Sequence, residues 1–180
     1  VRSSAFKGIV VQLDGKILAS GEFGNTELWW VMLVVRFNAD GTLDPTFADG
    51  GILKYNYGNV DDEGWDLKLT PDGSILVAGM TATASYNYSA LLAKFTSAGD
   101  LDSTFGTAGT VEEDLAAMDY GCNVEVMSDG TIILGGSSGV GPPGQIDLAV
   151  WKYLPDGSPD MTFGTNGFAQ HMIPSYYSLI

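Results

Sequence analysis

Long apolar runs, cysteine, histidine and positive charge are all scarce in this sequence, and each scarcity removes a class of function. No apolar stretch approaches the ~18 residues that a membrane-spanning helix needs. The single Cys122 cannot form an internal disulfide. The single His171 leaves zinc clusters and a Ser-His-Asp triad without support within one chain. Only 8 Lys and Arg stand against 22 Asp and Glu, a formal charge of −14. Such a surface repels phosphate backbones and anionic lipid, so neither nucleic acid nor membrane insertion is expected, while sugars, cations and basic proteins remain as partners. Helical periodicity is also missing, since no segment sustains it over three turns. The start, Val1-Arg2-Ser3-Ser4, lacks both an initiator Met and the charged-then-apolar layout of a signal peptide, and reads as a processed or trimmed end.

What the chain does have is 45% hydrophobic residues, 24 glycines and a repeat. Asp14-Gly15-Lys16-Ile17-Leu18-Ala19-Ser20-Gly21 returns as Asp72-Gly73-Ser74-Ile75-Leu76-Val77-Ala78-Gly79, and again as Asp129-Gly130-Thr131-Ile132-Ile133-Leu134-Gly135-Gly136. Arg36-Phe37, Lys94-Phe95 and Lys152-Tyr153 are each followed by a turn-rich link that ends at Phe47, Phe105 or Phe163, and then by Gly51, Gly109 or Gly167. The offset is 58 residues, with one residue lost between Gly109 and Asp129. Each copy holds four strand-like runs. The first alternates (Ile9 and Val11, Leu67 and Leu69, Val124 and Val126), and the Asp-Gly pair after it is a strong hairpin signal. The third run is apolar on both faces, so it should be sandwiched between neighbours. Four short strands recurring at this spacing predict an all-β chain of β-propeller blades. The expectation is three four-stranded antiparallel repeats, approximately 1–57, 58–115 and 116–180, within one propeller segment.

The blocks Asp14 to Gly21, then Val34-Val35-Arg36-Phe37-Asn38-Ala39-Asp40-Gly41-Thr42-Leu43-Asp44-Pro45-Thr46-Phe47, then Gly50-Gly51 resemble the delta-60 repeat family of bacterial β-propeller proteins. The resemblance runs through essentially the whole chain. It implies one blade per repeat and, for many members, an exported or cell-surface protein; it implies no activity. The third copy departs from the pattern at Pro155, Pro159 and Met161.

Three blades are fewer than the four to eight that usually close a ring. The chain is therefore expected to be half of a six-bladed ring, closed by self-association as a homodimer, or else to join further blades of a longer chain. If the link before Gly51 crosses between blades, Phe168–Ile173 becomes a spare strand able to complete the first blade of another copy. The recurrent Phe47, Phe105 and Phe163 are expected to be buried in equivalent pockets.

Up-and-down strands place the second-to-third and fourth-to-first connections at the end opposite the Asp-Gly hairpins, and these are the connections that differ between copies. Variable loops on a regular scaffold are where binding concentrates. The candidate ligand-binding residues there are Trp29, Trp30, Asp61, Asp62, Trp65, Tyr86, Tyr88, Asp119 and Tyr120. Aromatic faces beside carboxylates suit sugars and cations. A glycan or a protein is therefore the expected ligand of a non-catalytic binding module, with blade packing as the plainer role for any one ring. The alternatives are a glycoside-active enzyme using paired acids such as Asp62 and Asp119, or a purely structural piece of a larger ring. Asn38 to Asp44 has oxygen groups at calcium-like spacing, but the other copies lose ligands, and side-chain-capped turns explain all three. The glycine-rich stretches lead into strands rather than helices, so no nucleotide or other cofactor is expected.

Overall fold

Alternating apolar residues joined by Asp-Gly turns fold into antiparallel hairpins, and here they do so in every repeat. The computed structural model describes residues 4–24, 30–57, 61–84, 87–116, 118–140 and 146–172. Its first sheet contains β1 (Ser4–Val11), β2 (Ile17–Phe23), β3 (Val31–Phe37) and β4 (Ile52–Tyr55). The second contains β5 (Asp62–Leu69), β6 (Ile75–Ala84), β7 (Asn87–Phe95) and β8 (Thr110–Glu113). The third contains β9 (Asp119–Val126), β10 (Ile132–Ser138), β11 (Asp147–Tyr153) and β12 (Phe168–His171). Within each sheet the strands lie in chain order, all neighbours antiparallel. These are three propeller blades, with no helix among the described residues.

The crossing between blades therefore falls between a fourth strand and the next first strand. The long link before Gly51 stays inside its blade. This corrects the idea of a spare strand: β12 is already paired with β11, from Trp151↔Phe168 to Leu148↔His171. Residue 173 lies outside the described residues. The first strands of adjacent blades touch, β1 with β5 and β5 with β9, so they form the inner edge of the arc and the fourth strands its rim.

The core lies between blades rather than within them. One cluster joins Leu18, Met32, Val34 and Leu53 of the first blade to Leu67, Ile75, Val77 and Leu91 of the second. A second joins Leu76, Ala78, Ala90 and Leu92 to Val124, Ile132, Leu134 and Trp151 of the third. This explains the two-faced third strands. Residues 31–36 are all buried, and Met32 and Val34 among them face the second blade.

The third-to-fourth link is a repeated device. Asp44 Oδ1 accepts from the Thr46 N–H at 3.0 Å and its hydroxyl at 2.7 Å, and Asp102–Thr104 and Asp160–Thr162 repeat the turn. The other carboxylate oxygen pairs with the cation of the third strand: Arg36 at 2.7 Å, Lys94 at 3.2 Å, Lys152 at 2.8 Å. Arg36 lies over the Phe47 ring at 4.6 Å and Lys94 over Phe105 at 5.9 Å. Gly51, Gly109 and Gly167 then reverse the chain with φ of +102°, +104° and +89°, a region that favours glycine.

Phe47 and Phe105 are buried as expected, at 0% and 1% exposure. Phe163 is not; it is only half-buried. The reason is that each ring packs on the following blade. A Cβ on Gly99 would meet the Phe47 ring at 3.0 Å, and one on Gly157 would meet the Phe105 ring at 2.9 Å. The pocket of the ring thus belongs to the next blade, and among the described residues no further blade packs on Phe163.

Candidate functional site

Every first strand carries one residue more than its partner. The ladder slips between Phe6 and Gly8, between Gly64 and Asp66, and between Gly121 and Asn123, leaving Lys7, Trp65 and Cys122 as bulged residues at equivalent places. Opposite each bulge the second strand has glycine. A Cβ on Gly21, Gly79 or Gly136 would lie 1.9, 1.8 or 1.8 Å from the carbonyl oxygen of Ala5, Glu63 or Tyr120. No side chain fits there, so the bulge and the glycine require each other. The bulges sit at the end of the inner strands away from the Asp-Gly hairpins, and they aim side chains at the variable-loop end.

Lys7 Nζ bridges two carboxylates, 2.5 Å from Glu22 and 2.6 Å from Glu63. Glu22 is the next-to-last residue of β2 in the first blade and Glu63 the second residue of β5 in the second, so the cluster spans a seam. Burial and a hydrogen bond with Glu63 push the Glu22 carboxyl up, with Lys7 opposing. Burial also pushes Glu63 up, but its hydrogen bonds with Glu22, Lys7 and Trp65 win and hold it below the usual range. The pair is therefore polarised: Glu22 takes up a proton more readily than Glu63 as pH falls. Trp65 Nε1 donates to Glu63 at 2.7 Å, and Lys7 also lies over the Trp65 ring at 5.2 Å.

From Trp65 an aromatic ladder runs into the third blade. Trp65 stacks on Tyr120 at 5.8 Å between centroids and 16° between planes, and Tyr120 on Tyr88 at 5.7 Å and 29°. All three rings are half-buried. Burial, then the neighbouring Tyr88, pushes the Tyr120 phenol up. Tyr120 thus stacks with both of the other rings, and each of the three keeps part of its surface exposed.

The fold thus brings together three of the residues expected from sequence, Trp65, Tyr88 and Tyr120. It disposes of the acids differently. Asp62 and Asp119 occupy the same position in successive blades, and both are 0% exposed. Asp62 Oδ2 accepts from the Tyr57 N–H at 2.8 Å. Asp119 Oδ2 accepts from the N–H groups of Leu115 and Ala116, each at 2.7 Å. These carboxylates fasten the crossing between blades and present no edge to a substrate, a correction to their reading as a catalytic pair. Asp61 likewise serves the backbone, accepting from the Trp30 N–H at 2.8 Å, while the Trp30 carbonyl accepts from the Asp62 N–H at 2.8 Å. Trp30 is half-buried beside that crossing. Trp29 and Tyr86 lie outside the described residues.

Lys7, Glu22 and Glu63 were missed by sequence reasoning. The signal was present in the aligned copies: Lys7, Trp65 and Cys122 share a position one step before the period-two pattern resumes, and a glycine stands opposite in each copy. The acids of the third-strand links are also spoken for. Asp40 Oδ1 takes the Thr42 N–H and hydroxyl, and Asp156 does the same with Ser158, which leaves side-chain-capped turns where calcium-like spacing was noted. Among the described residues, no group of three or more His, Cys, Asp and Glu is placed to hold a metal ion. A depression of about 410 Å³ lies elsewhere, at the rim between the second and third blades, lined by Thr104, Thr110, Glu112, Asp156 and Ser158.

A sequence profile described as "Domain of unknown function (DUF5122) beta-propeller" matches the chain three times, at residues 12–47, 70–105 and 128–163. The chain belongs to this β-propeller family. No curated protein matches it. In this DUF5122 propeller each matched stretch begins at the first hairpin and ends on the Phe of the seam. The family pattern is therefore the scaffold: second strand, third strand and the link that docks on the next blade. Lys7, Glu63, Trp65 and Tyr120 fall outside the matched stretches, and Glu22 and Tyr88 inside them. As a propeller segment the chain is an interaction or structural module.

Proposed function

We propose that this propeller segment is a non-catalytic binding module that takes a neutral or amino-bearing glycan on its variable-loop end, at the ladder Trp65–Tyr120–Tyr88. The observation that carries the reading is the adjacency of three half-buried rings to the Lys7–Glu22–Glu63 cluster, across two blade seams. Sugar C–H faces pack on ring surfaces, and their hydroxyls accept from and donate to charged groups. The −14 charge of the chain disfavours acidic glycans. Exported or cell-surface placement, which the delta-60 resemblance implies, fits this reading. Hydrolysis is disfavoured at this cluster because the Glu22–Glu63 carboxyl pair is bridged by an ammonium group that occupies the space between them. A glycan array, followed by titration of hits against tryptophan fluorescence and a hydrolysis assay, tests the proposal. Binding lost in Trp65→Ala with the fold intact supports it. Hydrolysis of a bound glycan would replace it with the enzyme reading, and an empty array would sink it.

One observation favours a structural reading of the same rings. Trp65 and Tyr88 belong to the second blade and Tyr120 to the third, so the ladder also cements a seam. On that reading Trp65→Ala lowers stability and changes no binding.

A further inference from the structure

At the variable-loop end, each internal seam is lined by a row of buried polar side chains. In the third blade Asp119 pairs across the sheet with Ser138, and Ser138 with Asp147. Directly opposed residues share a face. Here it is the face that carries Leu134 and Trp151 into the seam with the second blade. Asp119 and Ser138 are 0% exposed and Asp147 is 5% exposed. The second blade has the matching row Asp62, Thr81 and Ser89, each 0% exposed, with one carboxylate where the third blade has two.

The third-blade row gathers negative charge out of water. Asp119 Oδ2 takes the Leu115 and Ala116 N–H groups, but Oδ1, equally buried, accepts no hydrogen bond. Among the described residues no ion pair reaches Asp119. A carboxylate oxygen held out of water without a partner is costly. At the other end of the row the Gln170 amide Nε2 lies 3.3 Å from Asp147 Oδ2, 2.6 Å from the Val140 carbonyl oxygen and 3.4 Å from that of Ser138. Three oxygens thus converge on one nitrogen. Burial pushes the nearby Glu113 carboxyl up, the Tyr153 hydroxyl opposes, and the Asp119 charge adds to the rise.

We propose that Asp119, Ser138 and Asp147 form a site for a hard cation of calcium's class at the second seam. Asp119 Oδ1, the Asp147 carboxylate and the Ser138 hydroxyl oxygen are its ligands, and the Gln170 amide turns its oxygen toward the ion. Asp119 and Asp147 stand two strand spacings apart, ~9.6 Å between Cα atoms. Two aspartates close that span around one ion with oxygen bonds of ~2.4 Å. The second blade serves as an internal comparison: Ser89 stands where the third blade has Asp147, so its row lacks the second charge and takes no such ion. The ion binds only the folded seam and therefore stabilises it.

The test is calorimetric titration of calcium chloride into the chelator-treated 180-residue chain, with potassium chloride and excess magnesium to suppress diffuse binding to the acidic surface. One calcium per chain is expected, with a dissociation constant of roughly 10⁻⁴–10⁻³ M. Calcium should also raise the urea midpoint, and magnesium should not. Asp147→Asn keeps the side chain's shape and removes one ligand charge, so it should weaken calcium binding at least ~30-fold and abolish the midpoint shift. If Asp147→Asn does not fold, Ser138→Ala removes another ligand of the same set and should also weaken binding. A wild-type chain that takes no calcium, or calcium binding indifferent to the variant, as diffuse binding to surface acids would be, overturns the proposal.

Discussion

Gly136 stands so close to Tyr120 that a Cβ on the glycine would lie 1.8 Å from the tyrosine's carbonyl oxygen. The neighbouring Gly135 faces open space by comparison, its nearest contact being the Asn123 carbonyl oxygen at 4.0 Å. Two adjacent glycines thus have different reasons for being glycine. Gly136→Ala should cost at least about 2 kcal/mol, since neither strand can give way without breaking the bulge. Gly135→Ala should be neutral or stabilise by up to about 1 kcal/mol through the unfolded chain. Urea denaturation of both variants checks the contrast, and equal costs would refute the role assigned to the bulge.

The seam phenylalanines offer a second contrast. Phe105, at 1% exposure, is enclosed by the third blade, so Phe105→Ala should cost about 3–5 kcal/mol. Phe163→Ala removes the same atoms from a half-buried site and should cost about 1 kcal/mol. Urea denaturation of both variants separates the two.

Acid should unfold the repeat through the aspartates of its turns and links. Asp160 is lowered to about 2, chiefly by its hydrogen bond from Lys152, and Asp72 to about 2, chiefly by the Thr70 hydroxyl. The Lys16 ammonium, then Thr46, hold Asp44 further below the usual carboxylate range. A folded value below the unfolded one means stability that is fully present above about pH 4 and lost as pH falls toward 2. Asp160→Asn should lower stability at pH 7 and flatten this acid limb. An acid limb as steep as the wild type's would refute the assignment.

Glu22 has the opposite sign. Its folded value is raised by burial and by Glu63, so its contribution is present at low pH and lost as pH rises through the raised value. Because Trp65 Nε1 donates to Glu63, tryptophan fluorescence should report that titration as a step above the ordinary glutamate range of about 4.3. Glu22→Gln should abolish the step while leaving the emission maximum at pH 4 unchanged. A step that survives in Glu22→Gln belongs to another group.

Blade number, strand order and hairpins were legible in the sequence because they rest on local rules. Asp14-Gly15, Asp72-Gly73 and Asp129-Gly130 demand φ above zero at glycine, and the alternation of Ile9 and Val11 sets which side chains share a face. Repetition turned these weak signals into a firm one, since three copies err independently. Trp65, Tyr88 and Tyr120 could be placed at one end from strand direction alone, but not stacked. Trp65 and Tyr120 stand 55 residues apart and Tyr88 and Tyr120 stand 32 apart, and no local rule spans such distances.

The sequence by itself determined that the chain is three all-β blades of one repeat, with variable loops at one end, because turn chemistry and period-two patterning act within a few residues. Only the tertiary structure decided which link crosses between blades, that Asp62 and Asp119 turn inward to hold that crossing, and that Lys7, Glu22 and Glu63 meet beside Trp65. It also decided that Phe47 and Phe105 are enclosed while Phe163, identical in its repeat, is not. The physical reason is the same in each case: a buried contact depends on which blade lies next to it, and that neighbour is supplied by stacking rather than by the residues alongside in the chain.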